Sequence, residues 1–256
     1  MADQQAAAAT GHPAPTGNQP EPAEPARYRR ICPAAGLLGL GLYAAGSLTA
    51  GLPRPGASVS TVITHLAADR SAVLAGTLLM FLALPFLLLF LGYFWNLLIR
   101  AEGPPGILAL SAAGAWLLLF AIVAIGIIPF TAVAWHGAAG TPPAIVRLAS
   151  DMSNLSLYSL SAPAAAASVL APSAVIWRTG VLPRWLVWLG LAEVTVNGIE
   201  LAGLMASNGT DAGGYAAGSG PLLWIIWAAA VCASALAAGP GPARSHPWPR
   251  RRVRGS

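Results

Sequence analysis

Three polar side chains share one stripe of an otherwise apolar run. In RWLVWLGLAEVTVNGIELAGLMA, residues 184–206, Glu193, Asn197 and Glu200 stand at i, i+4 and i+7. On a helix they fall within about 60° of one another, and the two carboxyls are separated by about 10 Å along the axis. Gly190 and Ser207 border the same stripe. An acidic residue at mid-bilayer costs about 2.5–3.5 kcal/mol. Two on one helix must therefore face a bundle interior or a water-filled cavity. No arginine or histidine lies deep in another apolar run to pair with them. Carboxyls so placed are either protonated near neutral pH or meet a cation that enters from outside. That chemistry suits a small-solute, proton or cation site. It equally suits hydrogen bonds that hold helices together, each worth about 0.6 kcal/mol. No catalytic residue is assignable from this pattern.

A second apolar run offers a matching face. Asp151, Asn154, Tyr158 and Ser161 stand at i, i+3, i+7 and i+10. If this helix runs antiparallel beside the first, Tyr158 comes level with Glu200 and can donate a hydrogen bond to it. Pro163 follows, removing a backbone donor and freeing a carbonyl that needs another partner. The expectation is a polar pocket between the two helices, opening outward. The candidate residues are Glu193, Asn197, Glu200, Tyr158 and Asn154.

A weaker group, His65, Asp69, His136, Asp151 and Asp211, lies near the predicted outer surface. Histidine and carboxylate suit zinc, which makes His65, Asp69 and His136 the weak metal candidates. The positions are scattered and no HExxH signature occurs. Asp151 reads instead as the N-cap of the fourth span and Asp69 as that of the second. No metal and no cofactor is expected. Cys32 and Cys232, both near span ends, read as apolar packing residues. No phosphate-binding glycine loop, nucleophile elbow or kinase signature is present, so an enzyme is the least favoured class.

The elements that must position these residues are long apolar segments. A spanning helix needs about 20 mostly apolar residues. Six segments qualify, at 31–52, 71–98, 107–130, 151–177, 184–206 and 218–238. All fourteen basic residues are arginine. Arg27, Arg29, Arg30, Arg100, Arg178, Arg184, Arg244, Arg250, Arg251, Arg252 and Arg254 flank one side, whereas Arg54, Arg70 and Arg147 flank the other. Eleven against three is the asymmetry expected of cytoplasmic enrichment, which places both termini in the cytoplasm. An odd number of spans would put one terminal cluster on the wrong side. Trp95, Trp135, Trp185 and Trp188 mark the interfaces.

Segment 58–70, SVSTVITHLAADR, reads as an amphipathic helix lying along the outer membrane surface. Val62, Leu66 and Val73 share one face, while His65 and Asp69 stand at i, i+4 on another. In the first span Gly46 and Ala50 form a small-xxx-small pair that permits close helix approach within the bundle.

Composition agrees. Of 256 residues, 56% are hydrophobic and 9% charged, against about 25% charged in soluble domains. The net charge of +5 reflects arginines at membrane flanks and is not a nucleic-acid signal. Residues 1–30 read as a disordered cytoplasmic tail that is not a signal peptide. Residues 31–238 read as an all-α bundle of six transmembrane helices, and 239–256 as a basic cytoplasmic tail.

The runs DRSAVLAGTLLMFLALPFLLLFLGYFWNLLIRAEG, RTGVLPRWLVWLGL and GPLLWIIWAAAV resemble an uncharacterised group of actinobacterial polytopic integral membrane proteins. Gly180, Leu182, Pro183 and Trp185 match its Gly-x-Leu-Pro-x-Trp turn. The resemblance spans residues 30–238. It implies six helices in a bacterial inner membrane and no assigned activity. The lipid bilayer is the expected partner. A homo-oligomer, a partner subunit and a structural or regulatory role without ligand all stay open.

Overall fold

A computed structural model describes residues 27–51, 56–206 and 219–238. The chain is all-α, with no strand among the described residues. The helices are α1 (Tyr28–Ala50), α2 (Val59–Ala68), α3 (Arg70–Glu102), α4 (Ile107–His136), α5 (Pro143–Asn154), α6 (Ser161–Thr179), α7 (Trp185–Ala206) and α8 (Ser219–Ala237). A six-residue π-helical segment, Leu155–Leu160, joins α5 to α6 without a break. Five helices are long and apolar enough to cross a membrane: α1, α3, α4, the continuous Pro143–Thr179 rod and Gly220–Ala237 within α8. A sixth, α7, has 22 residues, about 33 Å at the helical rise and so enough to span. The chain is a multi-pass membrane protein.

The six long helices form a closed ring in chain order. Each packs on its sequence neighbours, and α8 closes the ring against α1. The α1–α3 pair is the most intimate. An ideal Cβ on Gly76 would lie 2.5 Å from the Gly46 carbonyl oxygen and from the Ala50 nitrogen, so only glycine fits there. The Gly46–Ala50 pair is thus used inside the bundle, against α3.

The half of the ring interior nearer the α3–α4 turn is filled by aromatics. Phe90, Phe94, Trp116, Phe120, Trp224 and Trp227 form a connected set of ring contacts. Each indole N–H is satisfied, as buried donors must be. Trp116 Nε1 donates to the Ser168 carbonyl, Trp224 Nε1 to Ser168 Oγ and Trp227 Nε1 to the Leu186 carbonyl. At that end Glu102 accepts from the Leu108 and Ala109 amides, at 3.0 and 2.8 Å. Its carboxylate so occupies orphan donors at the start of α4.

At the opposite end α2 and α5 build a cap. Val62, Leu66 and Val73 do share a face, and all three are buried with Phe130, Val133, Ala138 and Val146. That face meets protein rather than the membrane surface. Arg70 Nε and Nη2 donate to the carbonyls of Ala134 and Trp135, completing the last turn of α4 where the helix dipole favours a cation.

The two cap expectations fare differently. The fourth helix begins at Pro143, with proline at its favoured first position, rather than at 151. Asp151 is therefore within the helix and pairs with Arg147, Nε to Oδ2 at 2.7 Å. Their i, i+4 pairing supports the helix through residues that fall outside the apolar segment 151–177. Asp69 holds the N-cap position of α3, as expected, but makes no side-chain cap bond there. It pairs instead with His65 Nδ1 at 3.1 Å.

Candidate functional site

Glu193 and Asn197 meet as their spacing predicts. One turn apart on α7, they are buried, at 0% and 5% exposure. Asn197 Nδ2 donates to Glu193 Oε1 at 2.7 Å and to the Glu193 carbonyl at 3.1 Å. The carboxyl is thus held within its own helix and turned away from lipid. Glu200 lies on α7, but its side chain is outside the described residues, as is the Tyr158–Glu200 hydrogen bond expected from sequence.

A cavity of about 490 Å³ occupies the half of the ring interior towards the cap. All six long helices line it. α1 contributes Tyr43 and Ser47, α3 Met80, α4 Phe120 and Ala124, α7 Asn197 and α8 Trp224, with Tyr158 from the π segment and Ser161 from α6. The cavity therefore lies on the ring axis, with spans four and five among its walls. Asn197 and Tyr158 reach it. Glu193 and Asn154 are not among its lining residues.

Asn154 lies a turn away, its Nδ2 at 3.4 Å from Ser150 Oγ. The π segment explains the displacement. Each π turn holds more residues than an α turn, so residues after it rotate relative to those before. An i, i+3, i+7, i+10 pattern drawn through Asp151–Ser161 then no longer keeps one face. Pro163 is the local cause, because its ring opposes the Ser159 carbonyl in a regular helix. The widened turn relieves that clash, and Ser161 Oγ donates to the Leu157 carbonyl. α4 makes room at Gly126, where an ideal Cβ would meet Ser156 Cβ at 2.5 Å.

Tyr43, Ser47, Phe120 and Trp224 were missed by sequence reasoning. A signal existed for the first two, which stand at i, i+4 in a span otherwise built of small and aliphatic residues. Tryptophans 116, 224 and 227 carry no such signal, since an indole in a membrane span reads first as an interfacial anchor.

Among the described residues, the lining holds no arginine, histidine, aspartate or glutamate. It is a predominantly apolar chamber with hydroxyls and one amide. Asn197 Nδ2 is committed to Glu193, so the group this residue offers an incoming molecule is Oδ1, an acceptor.

The weak metal candidates are scattered. His65 bonds Asp69, its Nε2 lies 3.4 Å from the Ala50 carbonyl, and its ring stacks on Phe130. His136 is exposed at the end of α4. No three His, Cys, Asp or Glu side chains among the described residues are grouped to hold a metal ion. Asp211 lies outside the described residues. Cys32 and Cys232 are buried and form no disulfide. No family model, no curated protein and no solved structure matches the chain.

Proposed function

We propose that this is a membrane-embedded binding protein for a small, uncharged amphiphile, held in the axial cavity with its polar end at Asn197 and Tyr158. The observation that carries the reading is the cavity itself. Its volume of about 490 Å³ falls in the range of small-molecule sites, which combine apolar walls with a few placed polar groups. An ion would lose its hydration against these largely apolar walls. A hydroxyl-headed molecule loses little, because it can donate to Asn197 Oδ1 and exchange a hydrogen bond with Tyr158. Glu193 then acts behind Asn197 as the acceptor that fixes the amide's orientation.

The arginine asymmetry supports a topology with both termini in the cytoplasm, and so a cavity in the outer half of the bilayer. Arg70 and Arg147 lie at the cap end, while Arg100, Arg178 and Arg184 lie at the other.

Photolabelling with a diazirine-bearing long-chain alcohol tests the reading. Cross-links are expected within Tyr43–Leu48 and Leu222–Ile225, competed by excess unmodified alcohol and lost in Asn197→Leu. Labelling confined to lipid-facing residues such as Leu118 and Ile125, and not competed, would overturn it.

A further inference from the structure

The α6–α7 hairpin carries a group of side chains remote from the cavity. Trp177, Trp185 and Trp188 are 52%, 53% and 63% exposed, and Arg178 and Arg184 are exposed beside them. The Trp177 and Trp188 rings meet edge to face, centroids 6.1 Å apart at 87°. The Arg184 guanidinium lies 5.9 Å from the Trp177 ring centroid.

The hairpin is a fixed platform. Gly180 takes φ +65° to end α6. Leu182 and Leu186 are buried as anchors, and Trp227 holds the Leu186 carbonyl at 3.0 Å. Neither arginine has an acidic partner among the described residues. Glu102, the acid at this end of α3, is engaged at the start of α4.

Exposed indoles settle at the headgroup layer. They set the depth of the two guanidiniums at the level of lipid phosphates. Arginine matches phosphate geometry with paired donors and stacks on aromatic rings. The Trp177 stack biases the Arg184 side chain towards one direction before any ligand arrives.

We propose that this hairpin is a binding site for an anionic phospholipid of the adjacent leaflet. Arg184 and Arg178 take the phosphate, and the faces of Trp177 and Trp188 take the upper acyl chains. A zwitterionic lipid brings its own cation beside two arginines and binds less well. The site is independent of the axial cavity.

Native mass spectrometry of the full chain in mild detergent tests it, with phosphatidylglycerol titrated against phosphatidylcholine of identical chains. The wild type is expected to prefer the anionic lipid by about 30-fold, from about one surface-charge increment for each of the two arginines. Arg178→Gln/Arg184→Gln should abolish the preference. Arg184→Lys, which keeps the charge and the fold, should reduce it. Arg100→Gln, at the same membrane end, should leave it intact. Three results would each overturn the proposal: equal binding of the two lipids by the wild type, an unchanged preference in the double variant, or displacement of the lipid by equimolar inorganic phosphate.

Discussion

Asn197 stands between the cavity and Glu193, and it is the residue on which the site turns. Removing its amide in Asn197→Leu should abolish competed photolabelling. It should also lower stability by about 1–3 kcal/mol, because a buried carboxyl loses a hydrogen-bond donor; thermal unfolding in detergent reads the second effect. Glu193→Gln keeps size and shape and leaves an acceptor for Asn197. Alcohol labelling should stay within about threefold of wild type, less than 1 kcal/mol of binding free energy. Complete loss of labelling in a folded Glu193→Gln protein would mean that the carboxyl itself meets the ligand. The Glu193–Asn197 pair was legible in sequence because one helical turn fixes their relation regardless of neighbours. The contribution of Tyr43 was not, since it depends on which helix closes the ring beside α3.

At the scale of elements, the bend in the fourth span matters most. The π segment Leu155–Leu160 brings Tyr158 to the cavity, and Gly126 on α4 lets it approach. Gly126→Leu should destabilise the protein by about 1–3 kcal/mol through overpacking, and labelling should fall with it as Tyr158 is pushed aside. A stable variant with full labelling would remove the π segment from the account. Arg70→Ala should cost about 1–2 kcal/mol through lost bonds to the end of α4. That loss should appear as faster hydrogen exchange at Ala138 and Gly140, with the aromatic half unaffected. Helix number and approximate bounds followed from apolar length. The start of the fourth helix did not, because its first turns are amphipathic and the Arg147–Asp151 pair reads as charge outside a span. The apolar face of α2 was legible as a face. Only the fold shows that protein covers it.

For the whole molecule, sequence periodicity says which face of a helix is buried but not which helix it meets. The ring in chain order, and the division of its interior into an aromatic half and a hollow half, come from the packing of all six helices together. The topology makes its own prediction. With Cys32 and Cys232 replaced by serine, Ser60→Cys on α2 should react with a membrane-impermeant maleimide in intact cells. Thr179→Cys, at the end of α6, should not. Reaction at Thr179→Cys alone would invert the orientation.

The hollow half carries the functional claim, and filling it is the most direct measurement. Ala124 lines the cavity from α4, and Ala124→Phe places a ring inside it. Competed alcohol labelling should disappear while thermal stability holds or rises, as expected when a void is filled with apolar atoms. Undiminished, competed labelling in a folded Ala124→Phe protein would contradict a ligand site on the ring axis.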